Sequence, residues 1–181
     1  MITLFENYKL PCIVFCALLT ITCVTCAKET DDQEPHPIQN TTDEAEANLK
    51  YLLGHALQKS KVLQETHGDF APYGAALFPD GAVKYVWLAK PGEAINDPAL
   101  SLPFIRQALN NQALAKQIIG SAVIYKYQKK GQKIPQLTVE LEYMTGLSMA
   151  FATEMIVDHN NTISWGNNSN GPLVPKVFTL K

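Results

Sequence analysis

The sequence predicts an α+β domain: a mostly antiparallel sheet of five or six strands, with an N-terminal helix and a second helix between strands 2 and 3. Three observations support this. Apolar residues recur at helical spacing after Thr41 and again after Pro98. Short apolar runs lie between and beyond these stretches. Turn residues such as Pro79-Asp80-Gly81 and Thr145-Gly146 join several of the runs, and strands joined by short turns pair in the antiparallel direction.

The first forty residues differ in composition from the rest of the chain. Leu10 to Ala27 carries no charge, and Lys28 and several acidic residues follow it directly. The run is short for a membrane span, which needs about 20 apolar residues, and it is near the upper end of a signal-peptide apolar region, about 15 residues. We therefore predict a signal peptide over 1–27, with an uncleaved membrane anchor as the alternative. A flexible polar tether over 28–40 would then lead to a single α+β domain over 41–181.

All four cysteines lie in the predicted leader. Cys26 and Cys23 stand near its end and are candidates for lipidation, which would make the leader a lipoprotein signal. No cysteine follows Cys26, so the predicted domain has no disulfide and no thiolate site of its own. The leader predicts an exported protein, located in the periplasm, attached to the outer envelope or secreted. Membrane contact is expected only through a lipid anchor or an uncleaved leader.

The first three elements follow from local patterns. Thr41 and Glu44 form a capping box, and leucines at helical spacing continue from it, which predicts a helix from about Asp43 to Thr66. Tyr73 to Phe78 and Ala82 to Ala89 are apolar runs on either side of a Pro-Asp-Gly turn, which predicts a hairpin. In its second strand, Val83, Tyr85 and Trp87 are expected on one face, opposite Lys84, Val86 and Leu88.

The later elements are predicted in the same way. A helix begins at Asp97-Pro98 or at Ser101, and β-branched and aromatic residues predict a strand over 118–127. From Leu137 to Tyr143 apolar and polar residues alternate, which predicts a half-exposed strand with Glu140 and Glu142 on a solvated face. Further strands are expected over 147–157 and, briefly, over 163–165. A turn-rich irregular tail over 167–175 follows.

The order of elements resembles profilin-like and roadblock-like domains, in which helices pack on a five-stranded antiparallel sheet. It also resembles the cone-shaped class related to nuclear transport factor 2, whose curved sheet surrounds a pocket. A closer likeness is to uncharacterised bacterial domains with a phrase such as Gly68-Asp69-Phe70-Ala71-Pro72-Tyr73-Gly74-Ala75, a later Asp80-Gly81 turn and a strand such as Val139-Glu140-Leu141-Glu142. These resemblances imply the fold and no particular activity.

The sequence excludes several kinds of chemistry. The formal net charge of −2 gives no electrostatic reason to bind nucleic acid. The four histidines form no zinc spacing, and no serine lies in a nucleophile motif, so no metal, cofactor or catalytic residue is predicted. Glu65, His67 and Asp69 could meet a metal at the end of the first helix, but we interpret them as an ordinary helix terminus.

These observations leave two hypotheses for function. The first is an exported, non-catalytic binding or interaction domain, with an unknown protein or small ligand of a bacterial envelope as its partner. The alternative is a small-molecule pocket protein, or an isomerase-like or hydrolase-like enzyme, on a curved sheet. The candidate ligand-binding residues are Trp165, Tyr85, Glu140, Glu142 and Tyr143, and the alternative adds Glu154 as a polar group of its pocket.

Overall fold

The computed structural model describes residues 41–90, 98–128 and 130–179. The predicted signal peptide over 1–27, the tether over 28–40 and the lipidation candidates Cys26 and Cys23 lie outside these residues. In chain order the elements are α1 (Thr41–His67), β1 (Tyr73–Leu77), β2 (Val83–Val86), α2 (Pro98–Leu114), β3 (Gly120–Tyr127), β4 (Gln136–Tyr143), β5 (Ser148–Val157) and β6 (Ile163–Pro172).

The predicted α+β class is confirmed. All six strands form one sheet in the order β2-β1-β3-β4-β5-β6, and every neighbouring pair is antiparallel. The two helices are α1 at the start and α2 between β2 and β3, as predicted. They pack on opposite faces of the sheet, against separate groups of buried side chains. Within the described ranges, no helix is both long enough and apolar enough to cross a bilayer.

The helix α1 buries a stripe of apolar side chains on the sheet. Asp43 and Glu44 lie in its first turn, where carboxylates favour the positive end of the helix dipole. Its buried residues include Leu49, Leu52 and Leu63. A buried polar contact fixes the C-terminal half: the Tyr73 hydroxyl donates to the Ala56 carbonyl at 2.9 Å and lies 2.8 Å from the Ser60 hydroxyl. The phenol has one proton, so Ser60 donates to Tyr73.

The hairpin of β1 and β2 turns at the predicted place. Gly81 adopts a positive φ of 82°, and the Asp80 side chain accepts the N–H of Ala82 at 3.0 Å. The expected division of β2 is confirmed where the structure tests it. Tyr85 and Trp87 pack against the core under α1, and Val86 packs against the core under α2.

The helix α2 approaches the sheet closely over β1. Its buried residues Ile105 and Leu109 pack with Val123 of β3. A Cβ atom at Gly74 would lie 2.9 Å from Ile105 Cγ2 and 3.1 Å from a Leu109 methyl carbon. Gly74 therefore allows a distance between helix and sheet that a larger residue would oppose.

The prediction of an irregular tail from Asn167 onward was wrong as far as Pro172. The strand β6 has ten residues and pairs along β5, from Val157↔Ile163 to Met149↔Pro172. A bulge interrupts the register, because Gly166 and Asn167 together lie opposite Glu154. The long strand β5 offers backbone partners along its whole length, and this pairing overrides the low strand propensity of asparagine, glycine and serine.

The prediction that one face of β4 is solvated was also wrong. Glu140 and Glu142 do share a face, but they are 5% and 2% exposed. The face is covered by α2 and by the residues that follow β6, which we call the 173–179 segment. Because α1 covers the other face, β4 is buried on both sides.

Candidate functional site

The face of the sheet that carries α1, here called the α1 face, holds an open groove of about 750 Å³. It lies between the N-terminal half of α1 and the strands β4, β5 and β6, where the helix leaves part of the sheet incompletely covered. Its apolar lining comes from α1, from β4 and β5 and from the turn between these strands: Leu49, Leu53, Leu141, Leu147, Met149 and Phe151.

The polar residues of the groove are at its rim. Asp43, Glu46 and Lys50 come from α1, and Asn170 comes from β6. All four are exposed, whereas the six large apolar side chains of the lining are buried or half-buried. The volume is within the range of small-molecule sites, about 300–1,000 Å³. Such a groove can desolvate an apolar group while charged groups at its rim stay in water.

The residues predicted to bind a ligand do not come together at one place. Tyr85, Tyr143 and Trp165 pack on the α1 face. Glu140 and Glu142 are on the opposite face, here called the α2 face, because they alternate with the core residues Val139 and Leu141 along β4. The sheet separates the two sets, so the five side chains form no common site.

The two tyrosines on the α1 face bind the helix rather than a cavity. The Tyr143 hydroxyl accepts from the Asn48 side chain at 2.9 Å and donates to the Glu44 carboxylate at 3.2 Å. Burial raises the pKa of Tyr143, and the nearby Glu44 carboxylate adds to this effect. The Tyr85 hydroxyl lies 3.4 Å from the His55 carbonyl, and burial also raises the pKa of Tyr85.

Trp165 lies in β6, opposite Met155, and is half-buried against the core under α1. It lies at the Ile163 end of the strand, whereas Asn170 lines the groove near the other end. Trp165 is therefore a core-edge residue and is not among the side chains that line the groove.

Glu140 is the centre of a buried ionic cluster on the α2 face. Arg106 of α2 donates to it from Nε at 3.0 Å and from Nη2 at 2.9 Å. Lys176 Nζ donates at 3.0 Å, and the Tyr125 hydroxyl donates at 3.3 Å. Burial and the adjacent carboxylate raise the pKa of Tyr125 to about 12. Two cations and a phenol therefore surround one carboxylate, which is the arrangement of a structural ion pair.

Glu142 binds backbone rather than side chains. Its two carboxylate oxygens accept the N–H groups of Lys176, Val177 and Phe178 at 2.8, 2.8 and 2.9 Å. These three successive donors belong to the 173–179 segment. Both glutamates of β4 thus hold this segment, and neither carboxylate faces the groove.

Glu154, the remaining candidate of the enzyme hypothesis, holds the bulge of β6. Its carboxylate accepts the backbone N–H of Asn167 at 3.2 Å and the side-chain amide of the same residue at 3.1 Å. It contacts none of the tyrosines or glutamates proposed with it. The described residues therefore bring no two of these six candidates into hydrogen-bond contact with each other.

Glu65 and Asp69, which were considered as parts of a metal site, each bind other groups. The Glu65 carboxylate pairs with Lys61 and accepts the N–H of Ile163 at 3.2 Å, and these contacts lower the pKa of Glu65. Asp69 pairs with Lys126 and accepts the N–H of Phe70 at 2.7 Å. Among the described residues, no three histidine, cysteine, aspartate or glutamate side chains lie together in a group that could hold a metal.

Sequence reasoning missed the groove. Its lining lies in elements that were predicted as core, and one strand face and one helix stripe supply it. The local pattern identifies Leu49 and Leu53 as apolar helix positions and Met149 and Phe151 as apolar strand positions. No local pattern tells how far the helix axis lies from β5, and that distance leaves the groove open.

Comparisons with protein-family models, with curated proteins and with solved structures find no match to the chain.

Proposed function

We propose that this chain is an exported, non-catalytic binding domain whose groove on the α1 face takes an elongated apolar ligand, such as an acyl chain. The observation that carries the proposal is the composition of the groove. Six large apolar side chains and that of Ala47 line it, and its charged residues Asp43, Glu46 and Lys50 stand at the rim on one helix. Export rests on the uncharged N-terminal run and its polar flank in the sequence.

The position of the titratable groups supports binding over catalysis. The pocket-enzyme alternative needs its titratable groups to converge on one reacting atom in a cavity. In the part of the chain that the structure describes, the two buried carboxylates bind groups outside the groove. Glu140 pairs with Arg106, and Glu142 holds backbone N–H groups.

The driving force for such binding is the removal of apolar surface from water. It yields about 25 cal/mol per Å² of apolar surface, so an extended hydrocarbon chain gains several kcal/mol in a groove of this size. Met149 and Phe151 on β5 and Leu53 on α1 are half-buried, so they keep apolar surface that a ligand would cover.

The test is a titration with a neutral naphthylamine dye whose fluorescence rises in apolar surroundings. Phe151→Ala removes a phenyl group from the groove and should weaken dye binding by about tenfold, the loss expected for about 1.4 kcal/mol of apolar contact. Phe104→Ala is the matched control, since Phe104 is 61% exposed on α2, away from the groove. Displacement of the dye by a fatty acid would identify the ligand class.

Two outcomes would contradict the proposal. If the dye binds the wild-type chain no more tightly than it binds the folded Phe151→Ala variant, the groove takes no apolar ligand. If Phe104→Ala weakens dye binding as much as Phe151→Ala does, the dye binds another surface.

A further inference from the structure

The 173–179 segment lies on the α2 face in the manner of a bound peptide. Outside the regular strands, it crosses the sheet beside α2, and side-chain hydrogen bonds hold its carbonyls at Leu173 and Val177. The Ser148 hydroxyl donates to the Leu173 carbonyl at 2.7 Å, and the Asn110 side-chain amide donates to the Val177 carbonyl. The second contact, at 2.6 Å, comes from α2, so helix and sheet both hold the segment.

Its backbone is recognised by Glu142. Three consecutive N–H groups, from Lys176 to Phe178, donate to the two oxygens of this one carboxylate. Hydrogen bonds to an ionised carboxylate are stronger than neutral ones. Glu142 is 2% exposed, so water competes little for these bonds.

Its side chains are recognised as well. Val177 is 1% exposed and packs among Ile105, Leu109 and Val123. Lys176 extends its ammonium group to Glu140, at 3.0 Å. The site therefore distinguishes a cationic residue followed directly by an apolar one.

We infer that Glu140, Glu142, Asn110 and the apolar hollow around Val177 form a peptide-binding site for a Lys–apolar segment whose backbone bends from Lys176 to Phe178. The chain occupies this site with its own 173–179 segment, and the same segment from a second copy binds there when the first is displaced. The side chains that hydrogen-bond to the segment belong to the fold without it: Asn110, Glu140, Glu142 and Ser148. This site is on the opposite face from the groove, so the inference does not rest on the proposed function.

The attached segment competes with any added peptide. A segment joined by a short linker acts at an effective concentration of about millimolar, which raises the apparent Kd of a peptide in solution. Val177→Asp should release the attached segment, because it would place a carboxylate in an apolar hollow next to Glu142. The groups that contact the peptide stay unchanged in that variant.

The experiment measures the fluorescence anisotropy of a labelled peptide with the sequence of residues 173–179. The Val177→Asp chain should bind this peptide at least about tenfold more tightly than the wild-type chain does, as expected when a tethered competitor is removed. A peptide carrying the same Val177→Asp change should not bind. Adding Glu142→Gln to the Val177→Asp chain should weaken binding by about tenfold, whereas adding Glu65→Gln, an exposed glutamate outside the site, should leave it unchanged.

The outcomes stay informative if a variant is unstable. Peptide binding should raise the melting temperature of Val177→Asp, or of the milder Val177→Ala, since a ligand that binds only the folded state stabilises it. A folded Val177→Asp chain that does not bind the peptide would overturn the inference. If both variants are unfolded and the peptide restores a melting transition to neither, the inference is overturned too. The same holds if Glu142→Gln does not weaken peptide binding.

Discussion

Arg106 of α2 meets Glu140 of β4 through two parallel hydrogen bonds, from Nε to Oε2 at 3.0 Å and from Nη2 to Oε1 at 2.9 Å. The side chain of Glu140 is 6% exposed and that of Arg106 is 20% exposed. The bidentate contact therefore ties helix to sheet where little water can replace either partner.

Arg106→Met should destabilise the fold strongly, because it leaves a buried carboxylate with fewer partners. Breaking such a pair from one side costs about 3 kcal/mol or more. Adding Glu140→Gln should recover part of this loss, since a neutral amide is less costly to bury than a carboxylate. Urea unfolding of the wild type, the single variant and the double variant measures both effects. A loss below about 1 kcal/mol in the single variant would mean that Lys176 and Tyr125 suffice to hold Glu140.

Gly74→Ala should destabilise the fold by about 1–3 kcal/mol, the range for overpacking a filled core. The added methyl group would meet Ile105 Cγ2 at 2.9 Å, and Ile105 is fully buried. Gly54→Ala is the matched control, because Gly54 lies inside α1 with nothing within 4 Å of an added Cβ. That change should stabilise the helix by about 0.5–1 kcal/mol. Thermal unfolding of both variants checks the opposite signs, and a stable Gly74→Ala would show that α2 can shift away from β1.

Lys126 should make stability rise with pH over a defined range. Burial lowers its pKa from 10.5 to about 8 in the folded chain, where its ammonium group lies 4.8 Å from the centre of the Phe70 ring. Between these two values the unfolded chain binds more protons than the folded one, so raising the pH favours folding. As the pH falls through about 8, that contribution is lost.

The comparison is with Lys126→Met, which keeps an unbranched side chain and does not titrate. Between about pH 7 and about pH 10, the unfolding free energy of the wild type should increase relative to that of the variant. A difference that stays constant would mean that the Asp69 carboxylate, which pairs with Lys126, holds its pKa near the ordinary value.

Local sequence patterns were sufficient to predict the helices, the hairpin and the class of the sheet. Capping residues, leucine spacing and the Pro-Asp-Gly turn act over a few residues, and α1, α2 and β1–β2 follow from them. The strand β6 could not be predicted in full, because Asn167 to Gly171 has low strand propensity and its partner β5 supplies the pairing.

The sites depend on contacts between residues distant in sequence, which single-chain patterns do not contain. The burial of Glu140 and Glu142 requires Arg106, thirty-odd positions earlier, and the 173–179 segment, a similar distance later. Glutamates that alternate with apolar residues on a strand are usually exposed, so the sequence pattern predicted that Glu140 and Glu142 face solvent. The groove likewise depends on where α1 crosses the sheet.

The bulge in β6 changes which residue numbers face α1. Before it, Ile163 and Trp165 point to that face, and after it Asn168 and Asn170 do, because Gly166 and Asn167 share one partner position. If the same residues paired along β5 without the bulge, the strand after Gly166 would be rotated by one side-chain position. Asn170 would leave the rim of the groove, and Ser169 and Gly171 would turn toward it. The polar rim on β6 thus depends on the bulge as well as on the identity of the residues, so the Glu154 carboxylate, which holds the bulge through Asn167, also fixes which side chains of β6 reach the groove.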